Sequence, residues 1–179
     1  MPPTVLTIGH SNHPLDRFLA LLAQHEIEAL VDIRRFPGSR KHPHFNRDNL
    51  AAALSKSGVA YHWLEALGGH RHKQRDESPN LGLENKGFRN YADYMLTDQY
   101  REGVEKLLEV ARQKRTAILC AEGLFWRCHR RLVSDFLVAN GVTAQHIMPT
   151  GELRPHKLTK GAVIESGRVT YPGERSLFT

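Results

Sequence analysis

The chain has 179 residues, with 25 Lys and Arg against 19 Asp and Glu, and a formal net charge of +6 when its 11 histidines are neutral. With 40% apolar and 25% charged residues its composition is that of a globular domain rather than a disordered polymer, and no apolar run approaches the roughly 20 residues that a bilayer span requires. That length buries a real core, and residues 1–179 are read as a single domain, with its core at about 5–148 and an appended tail at about 149–179.

Met1-Pro2-Pro3-Thr4 carries no cationic region and no small-residue cleavage site, so the expected location is the cytoplasm, where Cys120 and Cys128 remain thiols. Residues 5–9 form a short buried strand, and Pro14 is placed as the first residue of a helix with Leu15, Phe18, Leu19 and Leu22 on its apolar face. Residues 29–33 form a second strand that stops at Arg34-Arg35-Phe36-Pro37-Gly38. Asn46 is positioned to cap a helix from Arg47 to about Ser57, which Gly58 ends. A third strand at 61–64 precedes a long polar loop at 68–87. Residues 91–96 read as helical, and Tyr100, Val104, Leu107, Leu108 and Ala111 then make the clearest amphipathic stripe. Residues 116–121 are a fourth strand, and 128–140 a helix that turns Leu132, Val133, Phe136 and Leu137 inward. This alternation predicts an α/β domain, a mainly parallel sheet with helices on both faces. Residues 161–165 and 168–171, flanking Ser166-Gly167, are expected to add a C-terminal hairpin.

The charge is concentrated. From Arg34 to Arg75, nine basic residues face two acids, a local +7 that exceeds the net charge of the whole chain. Phe36, Phe45, Tyr61, Trp63 and five histidines are interleaved with it. Cations neutralise phosphates and flat rings stack on exposed bases, so the expected partner is nucleic acid, DNA ahead of RNA, with no membrane contact. A solvated surface that only maintains solubility is the plainer alternative.

In an open parallel sheet, ligands bind beyond the carboxyl ends of the strands. His10-Ser11-Asn12, Asp32-Ile33-Arg34-Arg35 and Cys120-Ala121-Glu122 all fall at such ends, and Cys128-His129-Arg130 opens the following helix, where cations and N–H groups suit an anion. Asp32 and Glu122 are the natural catalytic carboxylates, one activating water and stabilising sugar charge while the other holds substrate or acts as an acid. For Asp32 the alternative is a structural salt bridge to Arg34 or a role as a helix-cap partner. Arg40, Lys41, Arg71 and Lys73 are candidate phosphate contacts, while Phe45, Trp63 and Tyr91 serve either as stacking platforms or as core.

A cysteine phosphatase pattern would need an arginine at position 126, which is Trp126; Arg127 stands one residue too far from Cys120. Cys120 suits a small core position, whereas Cys128 beside His129 and Arg130 has surroundings that lower a thiol pKa and suits a buried structural role equally well. No paired short-spaced ligands support a zinc site, so no metal is expected.

Thr7-Ile8-Gly9-His10-Ser11, Leu30-Val31-Asp32-Ile33-Arg34 with Pro37 and Ser39-Arg40, Leu67-Gly68-Gly69, Phe88-Arg89-Asn90-Tyr91-Ala92-Asp93-Tyr94-Met95 and Cys120-Ala121-Glu122 with Cys128-His129-Arg130 occur in this order. Together they resemble the family called domain of unknown function 488, over about Thr7 to Ile147. The family's spacer has a proline before its second cysteine, and Gly123-Leu124-Phe125-Trp126-Arg127 lacks it. The resemblance implies a compact cytoplasmic α/β domain and, through relatives linked to removal of modified purines from DNA, a base-excision activity. On matching positions it would make Asp32 or Glu122 the catalytic carboxylate, with Arg34, His129 and Arg130 gripping phosphate or base. N-glycosidic cleavage needs a carboxylate to stabilise an oxocarbenium-like sugar and a pocket for the flipped base, and no metal or organic cofactor. No lysine stands at the strand ends to form a Schiff base, so a monofunctional glycosylase is the first expectation. A small-molecule enzyme with a Cys/His/Arg anion site and a non-catalytic nucleic-acid-binding module are the alternatives.

Overall fold

The computed structural model describes residues 2–173. In chain order these form β1 (Thr4–Gly9), α1 (Leu15–Gln24), β2 (Ala29–Asp32), α2 (Arg47–Lys56), β3 (Ala60–Trp63), α3 (Lys86–Tyr94), α4 (Asp98–Gln113), β4 (Thr116–Cys120), α5 (Arg130–Ala139), β5 (Thr143–Ile147), β6 (Leu153–Pro155), β7 (Val163–Glu165) and β8 (Arg168–Thr170). Six strands make one sheet in the order β3-β2-β4-β1-β5-β6, while β7 and β8 pair separately as an antiparallel hairpin. The first five strands of the sheet run parallel, and β6 returns antiparallel to β5.

The expected α/β architecture is what the chain adopts. Because side chains alternate across a strand, each strand feeds two cores. Val5, Val31, Ile33 and Ile118 face one core with α3, α4, α5 and the hairpin. Leu6, Ile8, Leu30, Ala117 and Leu119 face the other with α1 and α2. All four residues of β2 and all five of β4 are buried, as parallel strands covered on both faces must be.

Several local expectations are corrected. Pro14 and Asn46 occupy the positions just before their helices, and neither side chain caps; Asn46 Oδ1 instead accepts from the Ser39 N–H. The third helix begins at Lys86 rather than Tyr91, capped by Asn85, whose side chain accepts from the Phe88 N–H at 3.0 Å. The last helix begins at Arg130, leaving Cys128 and His129 in the turn before it. β5 and β6 have no counterpart among the sequence-read strands, since Gln145 and His146 interrupt the apolar run of Thr143–Ile147. Nor is the hairpin a mere appendage, because Val169 and Tyr171 are buried in the α3–α5 core and the Tyr171 hydroxyl donates to Asp135 Oδ2 at 2.7 Å. Among the described residues, no helix is long and apolar enough to cross a membrane.

Strand register sets the level of the site. Gly9 lies opposite Cys120, and Asp32 opposite both Leu119 and Trp63, so β1, β2 and β4 end on one line. The ladder runs slightly past the strands, with His10 N–H donating to Cys120 O at 3.0 Å, Ser11 N–H to Ala121 O at 2.9 Å and Ile33 N–H to Leu119 O at 2.9 Å.

Candidate functional site

Beyond those strand ends lies a pocket of about 620 Å³, in the range of small-molecule sites. Among the described residues its cations are Arg34, Arg35 and Arg127, its rings Phe36, Phe88, Tyr91 and two histidines, and its single carboxylate Glu122; Cys120 and Cys128 also line it. Two glycines let the walls close. A Cβ on Gly9 would stand 1.7 Å from the Glu122 carbonyl oxygen, and one on Gly68 2.6 Å from the Arg35 Cα, so both places need bare backbone.

Asp32 is not free to act on a ligand. Its buried carboxylate accepts from Arg34 N–H at 3.0 Å, Arg34 Nε at 2.9 Å, Arg34 Nη2 at 2.7 Å and the Tyr61 hydroxyl at 2.5 Å, and it does not line the pocket. With its acceptor sites filled it cannot orient a water, so its place is the salt bridge to Arg34, and the catalytic role expected of it is corrected. The pair holds Arg34 in the pocket wall, where Nη1 is buried with no partner among the described residues.

Glu122 contrasts with it in every respect. It is exposed and in the pocket lining, and among the described residues its side chain is engaged only by a 3.5 Å contact from the Leu124 N–H. Its main chain is firmly held, since Arg130 Nη2 donates to the carbonyls of Glu122 at 2.7 Å and Gly123 at 3.3 Å.

The anion cradle expected of Cys128, His129 and Arg130 is not formed. Arg130 is fully buried beneath the loop, with Nη1 donating to Thr7 Oγ1 at 3.1 Å, and it is absent from the pocket lining. His129 does line the pocket, but burial lowers its pKa, and as a neutral ring it donates from Nε2 to Ile33 O at 2.9 Å. The two sulfurs lie 2.7 Å apart. Burial pushes the Cys120 thiol up. It pushes Cys128 up as well, but the hydrogen bond from Cys120 and the Arg130 charge outweigh it and bring Cys128 down to about 7.

Arg130 is held in turn by a chain of buried hydrogen bonds that the sequence did not reveal. Thr7 Oγ1 lies 2.6 Å from His146 Nδ1, His146 Nε2 lies 2.8 Å from His156 Nδ1, and His156 Nε2 lies 2.7 Å from Asp135 Oδ1. Since the Asp135 carboxylate can only accept, and with one N–H on each ring, one direction of donation satisfies the chain: Thr7 to His146, His146 to His156, and His156 to Asp135, with Thr7 accepting from Arg130. Phe125 stacks on His146 with ring centroids 3.7 Å apart.

The other expected site residues divide. Arg35 lines the pocket, with its guanidinium 5.4 Å from the centroid of the exposed Phe36 ring. Tyr91 is a wall residue whose hydroxyl is committed to Leu67 O at 2.7 Å. His10 is buried, stacked on Phe45 at 4.5 Å, with Nδ1 donating to Ser11 O at 2.8 Å and Nε2 without a partner among the described residues. Phe45 is fully buried and cannot receive a base. Arg71 is corrected from phosphate contact to structural clamp, since it donates to the Glu65 and Gly68 carbonyls, pairs with the Glu65 carboxylate at 3.2 Å and lies over Tyr94. Ser11 packs at Gly123, Asn12 is exposed beside it, and Arg40 and Lys41 are exposed outside the pocket lining. Sequence reasoning missed Phe88 and Arg127 as pocket residues; Phe88 opens the Phe88-Arg89-Asn90-Tyr91 motif and Arg127 adjoins Cys128-His129, the signals that pointed to them.

A family model described as "Domain of unknown function DUF488" matches residues 14–137. The chain belongs to the DUF488 family. The matched stretch of this DUF488 domain holds Asp32, Arg34, Glu122, Cys120 and Cys128, and leaves out the Thr7–Ser11 motif and β5–β8. No curated protein and no solved structure matches the chain.

Proposed function

We propose that this DUF488 domain is a monofunctional DNA glycosylase that hydrolyses the N-glycosidic bond of a modified purine, with Glu122 as its catalytic carboxylate. The observation that carries the reading is the placement of Glu122, a carboxylate with no ion-pair partner among the described residues, in a cationic and aromatic pocket, while the other candidate acid, Asp32, lies outside that lining and is fully hydrogen-bonded.

Each wall has a part in that chemistry. The DNA backbone meets Arg35 and Arg127 at the rim, and a flipped purine enters between the Phe36 and Phe88 rings. Arg34 Nη1 offers a hydrogen bond to an acceptor on the purine edge, the kind of contact arginine makes with O6 and N7. Glu122 stabilises the oxocarbenium-like sugar as the base departs, then directs water to it.

The test is a panel of duplexes, each with one modified purine, assayed for abasic sites. Glu122→Gln is expected to cut base release by about 100-fold or more while leaving DNA affinity within a factor of two to three, because general acid–base groups contribute about 10²–10⁴. Base release undiminished in that variant would reject the mechanism, and no release from any duplex would reject the activity.

A further inference from the structure

Two groups in the pocket have no part in glycoside hydrolysis. Cys120 ends β4 and Cys128 follows the short helical turn Phe125–Arg127, so a connection of seven residues doubles back and sets one sulfur on the other. Both cysteines are free, both line the pocket and their sulfurs are 2.7 Å apart. Core cysteines need no such company. Here the pair faces a cavity open to solvent, with the Arg130 N–H 3.4 Å from the Cys128 sulfur and His129 Nδ1 3.5 Å from it.

We propose that Cys120 and Cys128 are a redox-active dithiol on the pocket wall that reduces hydroperoxides, Cys128 reacting first and Cys120 resolving it to an intramolecular disulfide. The Cys128 thiolate attacks one peroxide oxygen; the S–O bond forms, the O–O bond breaks, and the departing alkoxide or hydroxide takes a proton. The Cys120 sulfur then attacks the Cys128 sulfenic sulfur; the S–S bond forms, the S–O bond breaks, and water leaves with the Cys120 proton. One peroxide thus becomes alcohol and water while two thiols become one disulfide, and a low-molecular-weight dithiol returns the pair by exchange.

The order of attack follows from the surroundings. Cys128 is the more exposed of the two and has the Arg130 charge beside it, which favours its thiolate, whereas Cys120 is more deeply buried and keeps its proton. A resolving thiol already in contact leaves little time for further oxidation of the sulfenic acid. This site stands independently of the reaction assigned to Glu122.

The test uses the reduced full chain and hydrogen peroxide, followed by thiol titration in denaturant, intact mass and peptide mapping. The expected result is loss of both titratable thiols, a mass lower by two hydrogens, a peptide joining Cys120 to Cys128, and full recovery with dithiothreitol. Cys120→Ser is expected to halt at a Cys128 sulfenic acid that dimedone captures, and Cys128→Ser to leave Cys120 at least tenfold slower to oxidise than Cys128 in the native chain. The mapping on unaltered protein decides the matter even if a variant misfolds. Over-oxidation of Cys128 with Cys120 still free, disulfides only between chains, or both thiols surviving peroxide would each overturn the proposal.

Discussion

Arg34 grips the carboxylate of Asp32 with Nε at 2.9 Å and Nη2 at 2.7 Å, two residues apart in sequence and both buried at the end of β2. The acid of this pair is one of the two the sequence offered for catalysis, and the pair removes it from the pocket while fixing the arginine there. Breaking it leaves a buried arginine without its counter-charge. Asp32→Asn is therefore expected to destabilise the fold by about 3 kcal/mol or more, measured by urea denaturation, whereas Glu122→Gln should stay within about 0.5 kcal/mol of the native chain.

Arg127 and Arg71 separate a binding cation from a structural one. Arg127 is exposed in the pocket lining, while Arg71 is spent on Glu65, Gly68 and Tyr94. Arg127→Gln is expected to lower the slope of log affinity for DNA against log salt by about 0.9, one phosphate's worth, and Arg71→Gln to lower the melting temperature with no change in slope. An unchanged slope for Arg127→Gln would take that residue out of the interface.

Gly9→Ala tests the close approach of the loop after β4. The added methyl would lie 1.7 Å from the Glu122 carbonyl oxygen, so the loop must move and the bonds from Arg130 to Glu122 and Gly123 must stretch or break. A fall in melting temperature together with loss of base release is the expected outcome, readable by calorimetry and the abasic-site assay.

Two buried histidines make stability depend on pH. His10 is lowered from 6.5 to about 4 by burial, with Arg34 and His42 adding to the effect, and His146 from 6.5 to about 3 by burial, His156, Arg130 and Arg154. The unfolded chain takes up a proton at each as pH falls through 6.5 and the folded chain does not, so acidification weakens the fold. The expected slope approaches about 1.4 kcal/mol per pH unit for each histidine below pH 6 and levels off below the folded values. Urea denaturation at pH 7, 6 and 5 measures it, and His146→Phe should shed part of that slope.

The thiols should titrate apart. Burial raises both thiols, but with Cys120 hydrogen-bonded to it and Arg130 beside it Cys128 is brought below the ordinary thiol value, while Cys120, with its proton retained by burial, stays high; burial keeps His129 next to them neutral. Alkylation by iodoacetamide, followed by peptide mapping, is expected to label Cys128 at a pH below that of an ordinary thiol and to leave Cys120 largely unlabelled there; equal labelling of the two would reject this order.

The strands β1, β2 and β4, the stripe of α4 and the hairpin turn at Ser166-Gly167 were legible in the sequence because apolar spacing states directly which face a segment buries. So was the meeting of three strand ends, since parallel strands end on one side of the sheet. β5 was not legible, because His146 in its middle is accommodated by Thr7 from β1 and His156 from beyond β6, partners remote in sequence. The same limit governed the site. Residue types identified Asp32, Glu122, Arg130 and the cysteines as groups with chemistry, but the side of the wall each faces depends on neighbours supplied by other elements. Only the fold could bury Arg130 under its loop, spend Asp32 on Arg34, leave Glu122 exposed and set Cys120 against Cys128. Local patterns determine local elements, whereas the state of a charge is fixed by the hydrogen bonds and solvent around it, and those come from the whole chain.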